Sequence, residues 1–258
     1  MSTLAEPIQR SAPLARCRRN ARILVVVCAY NEASKLGHVF DRLSDCIDGG
    51  TELLLVDDAS TDGTTALIEK RGCRTIRHRR RRGAGACVRT AIRYALDHDY
   101  DILVFMAGND KDRPEEIPRL LEPILQGEAD LVQGSRYLPD ARWENTPFYR
   151  RIATQFIHPT LFSWFTGKKM TDTTNGFRAI RREVLEDPRI DLQQDWLDRY
   201  ELEPYLLFKT VRLGYRVCEV PVSKVYPAKR MVYTKMRPLT GWWSIIRPIF
   251  LLGLGLRK

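Results

Sequence analysis

ILVVVCAYNE, at residues 23–32, joins an uninterrupted apolar run to a polar loop, and the predicted architecture follows from this pattern. An apolar run of this length is typical of a strand buried on both faces, as in a parallel sheet. The residues beyond the loop favour a helix, since apolar side chains recur at the spacing of one helix face at Leu36, Val39, Phe40 and Leu43. We therefore predict a strand, a polar loop and a helix, in that order.

The same order of elements is repeated along the chain. Further strands are predicted at residues 53–56, 75–77, 102–106 and 131–133. Polar or glycine-rich loops precede further helices, one of which starts at Pro114 with Glu115 and Glu116 in its first turn. Successive strand–helix units predict an α/β fold in which a mostly parallel sheet carries helices on both faces. Ligands of such sheets bind outside the carboxyl ends of the strands.

The charge of the chain predicts an anionic partner. The 258 residues include 42 Lys and Arg against 32 Asp and Glu, which gives a net charge of +10. Nucleic acid, an anionic membrane surface and phosphorylated substrates all fit this excess. The basic run RHRRRR at residues 77–82 lacks the interleaved aromatic side chains that stack on bases. We therefore expect no nucleic acid, and interpret the run as a surface patch that meets anionic lipid.

The cysteines and the two ends of the chain indicate location. Six cysteines without CxxC pairs or metal-ligand spacing are typical of reduced packing residues in a cytosolic protein. Residues 1–21 lack the apolar run of a signal peptide and are expected to be a flexible basic lead-in to a domain at residues 22–225. Residues 226–258 are rich in Trp and branched apolar residues but are interrupted by Arg247 and Pro248. We predict that they associate with the membrane surface without spanning it, which places the protein peripherally on its cytoplasmic face. The alternative is a helix docked on the domain.

Two adjacent acids after the second predicted strand suggest a binding site. The loop at residues 57–64 permits an ordinary helix N-cap, with Ser60, Thr61 or Asp62 as the capping residue. That interpretation leaves Asp57 and Asp58 without a structural role. Carboxylates at the end of a parallel strand suit hydrogen bonds to ribose hydroxyls or to the edge of a base, and we favour this second interpretation.

Six motifs in order resemble the family 2 glycosyltransferases of GT-A fold. They are CAYNE (28–32), VDDASTDGT (56–64), RRGAGACVRTAI (81–92), GSRYL (134–138), NGFRAIRREVL (175–185) and GYRVCEVPV (214–222). The similarity covers about residues 23–225 and is to the dolichol-phosphate mannose synthase type and its bacterial polyprenyl-phosphate counterparts. It implies transfer of a hexose from a nucleotide-sugar to a polyprenyl phosphate, with inversion at the anomeric carbon.

The resemblance also implies roles for individual residues. The residues implied to bind the nucleotide are Tyr30, Glu32, Asp57, Asp58 and Asn109. Those implied to bind the acceptor or its phosphate are Asn175, Arg178, Lys229, Arg230 and Lys235. Arg136 occupies the position of the family's active-site arginine, and Gly83 and Gly85 would let their loop approach the ligand closely. Arg89 and Arg93 either face phosphate or solvate their helix.

The sequence departs from the family at the metal site. The family places Asp-x-Asp after the fourth strand to bind a divalent cation, whereas this chain has Ala107, Gly108 and Asn109 there. An amide oxygen is a weaker ligand for Mg²⁺ than a carboxylate. We predict a Mg²⁺ or Mn²⁺ site at Asn109, with Asp110 and Asp112 supplying carboxylates from a shifted loop and taking part in catalysis with Arg136. Alternatively, Asp112 caps the next helix and Asp110 is solvated.

The acceptor class decides whether a general base is needed. A phosphate monoester has its second pKa near ~6 and is already charged at neutral pH. This fits a sequence without a recognisable His–Asp pair. For a hydroxyl acceptor, Glu201 or Glu203 would be the base. A nucleotidyltransferase would need a glycine-rich loop after the first strand, which has Ala-Tyr-Asn-Glu instead. The lost Asp-x-Asp also allows a nucleotide-sugar binder without catalytic activity.

Overall fold

The computed structural model describes residues 21–44, 50–144, 148–226 and 238–257. The strands are β1 (Ile23–Ala29), β2 (Thr51–Asp57), β3 (Arg74–Arg77), β4 (Ile102–Ala107), β5 (Leu131–Ser135), β6 (Trp143–Glu144), β7 (Arg178–Arg181), β8 (Val217–Pro221) and β9 (Lys224–Val225). The α-helices are α1 (Ala33–Ser44), α2 (Thr64–Lys70), α3 (Ala84–Asp97), α4 (Ile117–Leu125), α5 (Phe148–Ile152), α6 (His158–Thr166), α7 (Arg182–Leu185), α8 (Leu202–Arg212) and α9 (Pro238–Gly253). Short 3₁₀ turns lie at Pro114–Glu116 and Asp195–Leu197, and a π-helical turn at Ala153–Ile157 joins α5 to α6.

Seven of the strands within these ranges form one sheet, in the order β3-β2-β1-β4-β7-β5-β8. β1 pairs in parallel with β2 on one side and β4 on the other, and β7 is inserted antiparallel between β4 and β5. The predicted α/β fold with a mostly parallel sheet is confirmed. Because the strand order reverses at β1, the loops after β1 and β4 diverge and leave a crevice at their carboxyl ends.

The core consists of two layers, one on each face of the sheet. Along β1, Leu24 and Val26 belong to one layer, and Val25 and Val27 belong to the other. All four are fully buried, as the apolar run predicted. α1 packs on the second layer through the four apolar residues that the helical spacing identified.

The C-terminal helix packs against the domain. Ile249 of α9 is fully buried in the first core layer, and the Phe250 ring meets Phe165 of α6 edge-on at 5.9 Å. Arg247 donates a hydrogen bond of 2.9 Å to Glu201. The described part of residues 226–258 is thus an integral element of the domain, and its membrane association stays a prediction. Among the described helices, none is both long enough and apolar enough to cross a membrane.

Candidate active site

A cavity of about 690 Å³ opens at the carboxyl ends of β1 and β4, at the edge of the sheet where the sequence predicted the ligand. The glycine-rich loop before α3 and the start of α8 form one wall. The turn at residues 174–176, the π-helical turn, β9 and α9 form the other. Basic side chains outnumber acidic ones along these walls. A cavity of this size and charge suits an anionic ligand larger than a single phosphate.

Asp57 and Asp58, predicted to share one role, have different environments. Asp57 is fully buried outside the cavity lining, where its carboxylate accepts hydrogen bonds from the Ser60 amide (3.0 Å) and the Thr65 hydroxyl (2.7 Å). Asp58 lines the cavity and accepts 2.8 Å hydrogen bonds from the backbone amides of Arg82 and Gly83. Asp57 therefore holds its own loop, and of the two acids only Asp58 lines the cavity, while contact of either with a nucleotide stays a prediction.

Asp58 is paired with a buried histidine that the sequence did not single out. The Nδ1 atom of His78 lies 2.8 Å from the Asp58 carboxylate, and Nε2 lies 2.9 Å from the Thr90 hydroxyl. The hydrogen bond with Asp58 raises the pKa of His78 to about 9. The basic run at residues 77–82 is thus divided, since its arginines are exposed and its histidine is buried. The expectation that the chain lacks a His–Asp pair is wrong.

The same pair belongs to a compact group that has the geometry of a metal site. One ligand atom each from Asp58, His78 and Cys87 lies within 4.8 Å of the others. Both ring nitrogens of His78 are already hydrogen-bonded, and a hydrogen bond to Cys28 together with burial keeps the pKa of the Cys87 thiol high. A metal needs a neutral imidazole and a thiolate. We therefore interpret the group as the support of the glycine-rich loop.

Gly83 and Gly85 are required by backbone packing. Gly83 has φ of 112°, a conformation that side chains other than glycine rarely adopt. The Gly85 amide donates a hydrogen bond to the Arg199 carbonyl at 2.5 Å, and a Cβ atom at Gly85 would collide with the Leu197 carbonyl. The loop is thereby fixed against the segment that leads into α8. The sequence suggested that these glycines allow a ligand to approach closely. The contacts show instead that they allow the loop to pack against the backbone before α8.

The loop after β4 brings one of its two predicted carboxylates to the cavity. Asp112 is buried in the cavity wall, with its carboxylate 2.5 Å from the ammonium of Lys224. Asp110 lies outside the lining and pairs with Arg42 at 3.2 Å, so its predicted part in catalysis and metal binding is not supported by its position. Asn109 lines the cavity, and its predicted binding of nucleotide and metal stays a prediction. The 3₁₀ turn at Pro114 has no side-chain cap, so the alternative prediction that Asp112 caps this helix is wrong.

Lys111 is a further residue of this loop that sequence reasoning missed. It is 5% exposed, lines the cavity, and holds its ammonium 4.7 Å from the centre of the Tyr226 ring. Burial, and then the charges of Lys224 and Arg150, lower the pKa of Lys111 to about 7. A buried lysine in a concave site indicates a functional residue. The sequence does not show this burial, because Lys111 stands there among ordinary loop residues.

Arg136, which the resemblance identified as the active-site arginine, lies in the cavity wall. Asp172 and the Thr174 hydroxyl, 2.6 Å from Nη2, hold its guanidinium. Asn175 also lines the cavity, with its amide 3.1 Å from the Gly134 carbonyl. Arg178, by contrast, is buried outside the lining and donates hydrogen bonds to the carbonyls of Asn175 and Glu203. The structure thus places Arg178 behind the turn at residues 174–176, and its predicted contact with the acceptor is not supported by this position.

The other predicted residues are distributed as follows. Tyr30 and Glu32 line the cavity, and the Arg81 guanidinium lies 4.2 Å from the centre of the Tyr30 ring. Arg89 is paired with Asp198, and Arg93 lies 3.5 Å from the Gln193 side chain, so neither lines the cavity. Of the two candidate bases, Glu203 lines the cavity and Glu201 is paired with Arg247. Lys229, Arg230 and Lys235 lie outside the described residues.

The segment from α5 to α6 presents two different faces. Arg150, Ala153, Thr154 and His158 face the cavity. Burial lowers the pKa of His158 to about 4, so its ring is neutral. The side chains turned to solvent are large and apolar, with Phe148 75%, Ile152 38%, Phe156 58% and Trp164 79% exposed. A wall of the cavity is thus also an exposed apolar surface.

The chain resembles known proteins over most of its length. Residues 24–188 match the model of "Glycosyl transferase family 2". An undecaprenyl-phosphate mannosyltransferase of Micrococcus luteus is 34% identical over 79% of this chain and 84% of its own. A polyprenol monophosphomannose synthase of Mycolicibacterium smegmatis is 34% identical over 81% and 79%. A solved structure of glucosyl-3-phosphoglycerate synthase from Mycobacterium tuberculosis, with Mn²⁺, UDP and glucosyl-3-phosphoglycerate, superimposes with a TM-score of 0.69 at 22% identity, covering 99% of this chain and 88% of that one.

Proposed function

Because the chain belongs to glycosyl transferase family 2, we propose that it transfers a hexose from a nucleotide-sugar to the phosphate of a polyprenyl lipid. The predicted GT-A fold and glycosyltransferase activity are confirmed by the family match and by the fold shared with solved glycosyltransferases. The relatives named as undecaprenyl-phosphate mannosyltransferase and polyprenol monophosphomannose synthase support the choice of acceptor. The identity of the hexose is part of what the experiment below determines.

One observation carries this proposal: a single cavity joins the loop that Asp58 holds to the wall that contains Arg136 and Asn175. The first region suits a nucleoside, since it offers the Asp58 carboxylate at the end of a parallel strand. The second suits phosphates, since buried basic groups line it. A donor that spans both regions would place its anomeric carbon between its own diphosphate and the acceptor phosphate.

The proposed reaction does not need a general base. The acceptor phosphate is a dianion at neutral pH, so it attacks the anomeric carbon without a general base. The bond from that carbon to the diphosphate breaks, and its electron pair leaves with the diphosphate oxygen. The protein must position the two reactants and stabilise the charge on the leaving group. Arg136 is suited to this role because Asp172 fixes its orientation and maintains its charge.

A membrane surface is the partner that a polyprenyl acceptor requires. The exposed apolar face of Phe148, Ile152 and Phe156 is the outer side of a segment whose inner side lines the cavity. If that face enters the lipid interface, the acceptor phosphate needs to travel only across one helix to reach the site. We propose this face as the main membrane contact, in place of the tail that the sequence suggested. Location on the cytoplasmic side stays a prediction.

Transfer to a hydroxyl is the second candidate function, and the position of Glu203 favours it. Its carboxylate lines the cavity beside Gly176, where a Cβ atom would lie 2.6 Å from Oε1. A hydroxyl acceptor needs a base within hydrogen-bonding reach, and Glu203 is placed to be one. Glu203→Gln separates the two functions, since it would abolish transfer to a hydroxyl and leave transfer to a phosphate largely intact.

The residues present do not fit the predicted Mg²⁺ or Mn²⁺ site. Asn109 offers an amide, Asp112 is neutralised by Lys224, and Asp110 lies outside the cavity. Mg²⁺ requires an octahedral set of oxygens, usually including carboxylates. The cation bound by the structural neighbour belongs to that protein, and no step of the reaction is assigned to a metal in this chain.

The test is turnover of a panel of UDP- and GDP-hexoses with undecaprenyl phosphate and dolichyl phosphate in vesicles, with the matching polyprenols as hydroxyl controls. We expect an acid-labile glycolipid from the phosphates and none from the polyprenols. Arg136→Met should abolish the product, whereas the exposed Lys70→Met should not. Product from the polyprenols would support the second function. Nucleotide binding without any product would identify a binding protein without catalytic activity.

A further inference from the structure

We infer that the ammonium groups of Lys111 and Lys224 balance the charge of the leaving nucleoside diphosphate, so that donor binding requires no divalent cation. This inference rests on the proposed function and specifies how the same cavity holds the donor. It concerns two basic residues that no sequence motif singled out, and it accounts for the missing Asp-x-Asp.

Lys111 lies on the loop where the family would hold its cation. Its backbone is two residues beyond Asn109, whose side-chain oxygen accepts a hydrogen bond from the Lys111 amide at 3.3 Å. The side chain is buried in the cavity wall, and the face of Tyr226 supports its ammonium at 4.7 Å. A basic side chain therefore stands on the loop where the family's carboxylates would recruit a cation, and a bound diphosphate would favour its protonated form.

Lys224 reaches the same part of the cavity from a different element. It lies on β9, which pairs with Trp143 of β6, and the next residue donates its amide to the Lys111 carbonyl at 3.1 Å. Its ammonium contacts Asp112 at 2.5 Å and the Asn175 side-chain oxygen at 3.3 Å. Lys224 thus connects the loop after β4 to the turn that carries Asn175, and these backbone contacts hold the two lysines together.

The charges around this point oppose a divalent cation and favour a diphosphate. Ala107 and Gly108 bring no carboxylate, and the Asp112 carboxylate is already balanced by Lys224. A divalent ion would therefore find two lysines and a single carboxylate that is already engaged by one of them, without the carboxylate pair that it needs as ligands. A diphosphate meets the same two groups with the opposite sign, and lysine binds phosphate as a compact point charge with three donors.

In the reaction the two lysines act through charge and hydrogen bonds alone. As the bond between the anomeric carbon and the diphosphate oxygen breaks, its electron pair stays on the diphosphate. The new bond to the anomeric carbon forms from an oxygen of the acceptor phosphate. The increase in negative charge on the leaving group strengthens its hydrogen bonds to Lys111 and Lys224.

Calorimetric titration of UDP and GDP into the full chain tests the inference without relying on turnover. With excess EDTA we expect the wild type to bind at least one of them, and added Mn²⁺ or Mg²⁺ should leave the affinity unchanged. Lys111→Met keeps the apolar stem and should weaken binding about tenfold or more, the effect of losing a hydrogen bond to a charged group. The exposed Lys70→Met is the matched control and should bind as the wild type does. Thermal unfolding checks that both variants are folded.

A gain-of-function variant provides an independent test. Ala107→Asp and Asn109→Asp, introduced together with Lys111→Met, rebuild a carboxylate pair and remove one ammonium. Nucleotide binding by this variant should require Mn²⁺. If wild-type binding is lost in EDTA and restored by Mn²⁺, the inference is overturned while the proposed function stands. If the wild type binds neither nucleotide with or without metal, the proposed function fails, and the inference fails with it.

Discussion

The carboxylate of Asp172 accepts two hydrogen bonds from the guanidinium of Arg136, 2.6 Å from Nε and 2.8 Å from Nη2. Both side chains are buried, Asp172 completely. Burial by itself would lower the pKa of Arg136, but the charge of Asp172 and its hydrogen bonds together outweigh burial and raise it. The pair therefore places a permanent, oriented positive charge in the wall of the cavity.

Asp172→Asn should destabilise the fold, because it leaves the Arg136 charge buried without its partner. We expect the free energy of unfolding to fall by roughly 3–5 kcal/mol, the usual effect of breaking a buried pair from one side. Urea denaturation measures it. The matched control is Glu183→Gln, which removes a carboxylate that is 57% exposed and paired with Arg181, and should change stability by about 0–1 kcal/mol. Equal losses in the two variants would contradict this account.

Asp57 and Asp58 should respond differently to the same substitution. Asp58→Asn weakens the contacts that hold His78 and the loop amides beside the cavity, so nucleoside diphosphate affinity should fall at least about tenfold. Asp57→Asn disturbs hydrogen bonds within its own loop and should lower stability by about 1–3 kcal/mol with a smaller change in affinity. Calorimetry and denaturation distinguish the two effects. Equal losses of affinity would favour the interpretation of both as nucleotide ligands.

Local patterns in the sequence predicted the elements and the edge of the sheet where the cavity lies. The apolar run predicted the strand β1, and the spacing of Leu36, Val39 and Phe40 predicted the helix α1. Both are patterns of residues close together in the chain, and both predictions are confirmed. The tail shows the limit of this reasoning. Trp243 and Ile249 are both apolar residues of the same helix. Trp243 is 57% exposed and Ile249 is fully buried, because α6 and α8 cover only one side of α9.

The site could be predicted only in part, because contacts between residues distant in the sequence determine which side chains face the cavity. Asp58 meets His78 because β2 pairs with β3, and Asp112 meets Lys224 because β9 is hydrogen-bonded to the loop after β4. A residue that resembles a ligand in sequence, such as Asp110, is directed away from the cavity by one arginine of another helix. Periodicity and motif spacing contain no information about such partners.

Gly85→Ala should disturb the glycine-rich loop through a backbone collision. The new methyl group would meet the Leu197 carbonyl, and a carbonyl cannot rotate away as a side-chain tip can. We expect both a loss of stability of about 1–3 kcal/mol and weaker nucleotide binding. Gly37→Ala is the control, since nothing lies within 4 Å of its added methyl and it sits inside α1. There alanine should stabilise the helix by roughly 0.5–1 kcal/mol.

Stability should depend on pH through His78. Its folded-state pKa of about 9 lies above the ordinary value of 6.5, so the folded protein holds this proton more tightly than the unfolded chain does. The resulting stabilisation is complete below pH 6.5 and is lost as the pH rises through 9. Denaturation at a series of pH values between these limits should show a steady loss for the wild type. The same slope in His78→Gln would show that another group is responsible.

The exposed face of the α5–α6 segment should determine membrane binding. Phe148 and Phe156 are 75% and 58% exposed, and burying such side chains in the interface is worth about 1.5–3 kcal/mol each. Phe148→Gln with Phe156→Gln should therefore release the protein from anionic vesicles in a flotation assay and slow transfer to a long-chain acceptor more than to a short one. Trp243→Gln is the control, because Trp243 is 57% exposed on α9, the helix that the sequence favoured as the anchor. Deleting α9 would not serve, since it removes the buried Ile249 and part of the cavity wall. Release by Trp243→Gln alone would return the anchor to the tail.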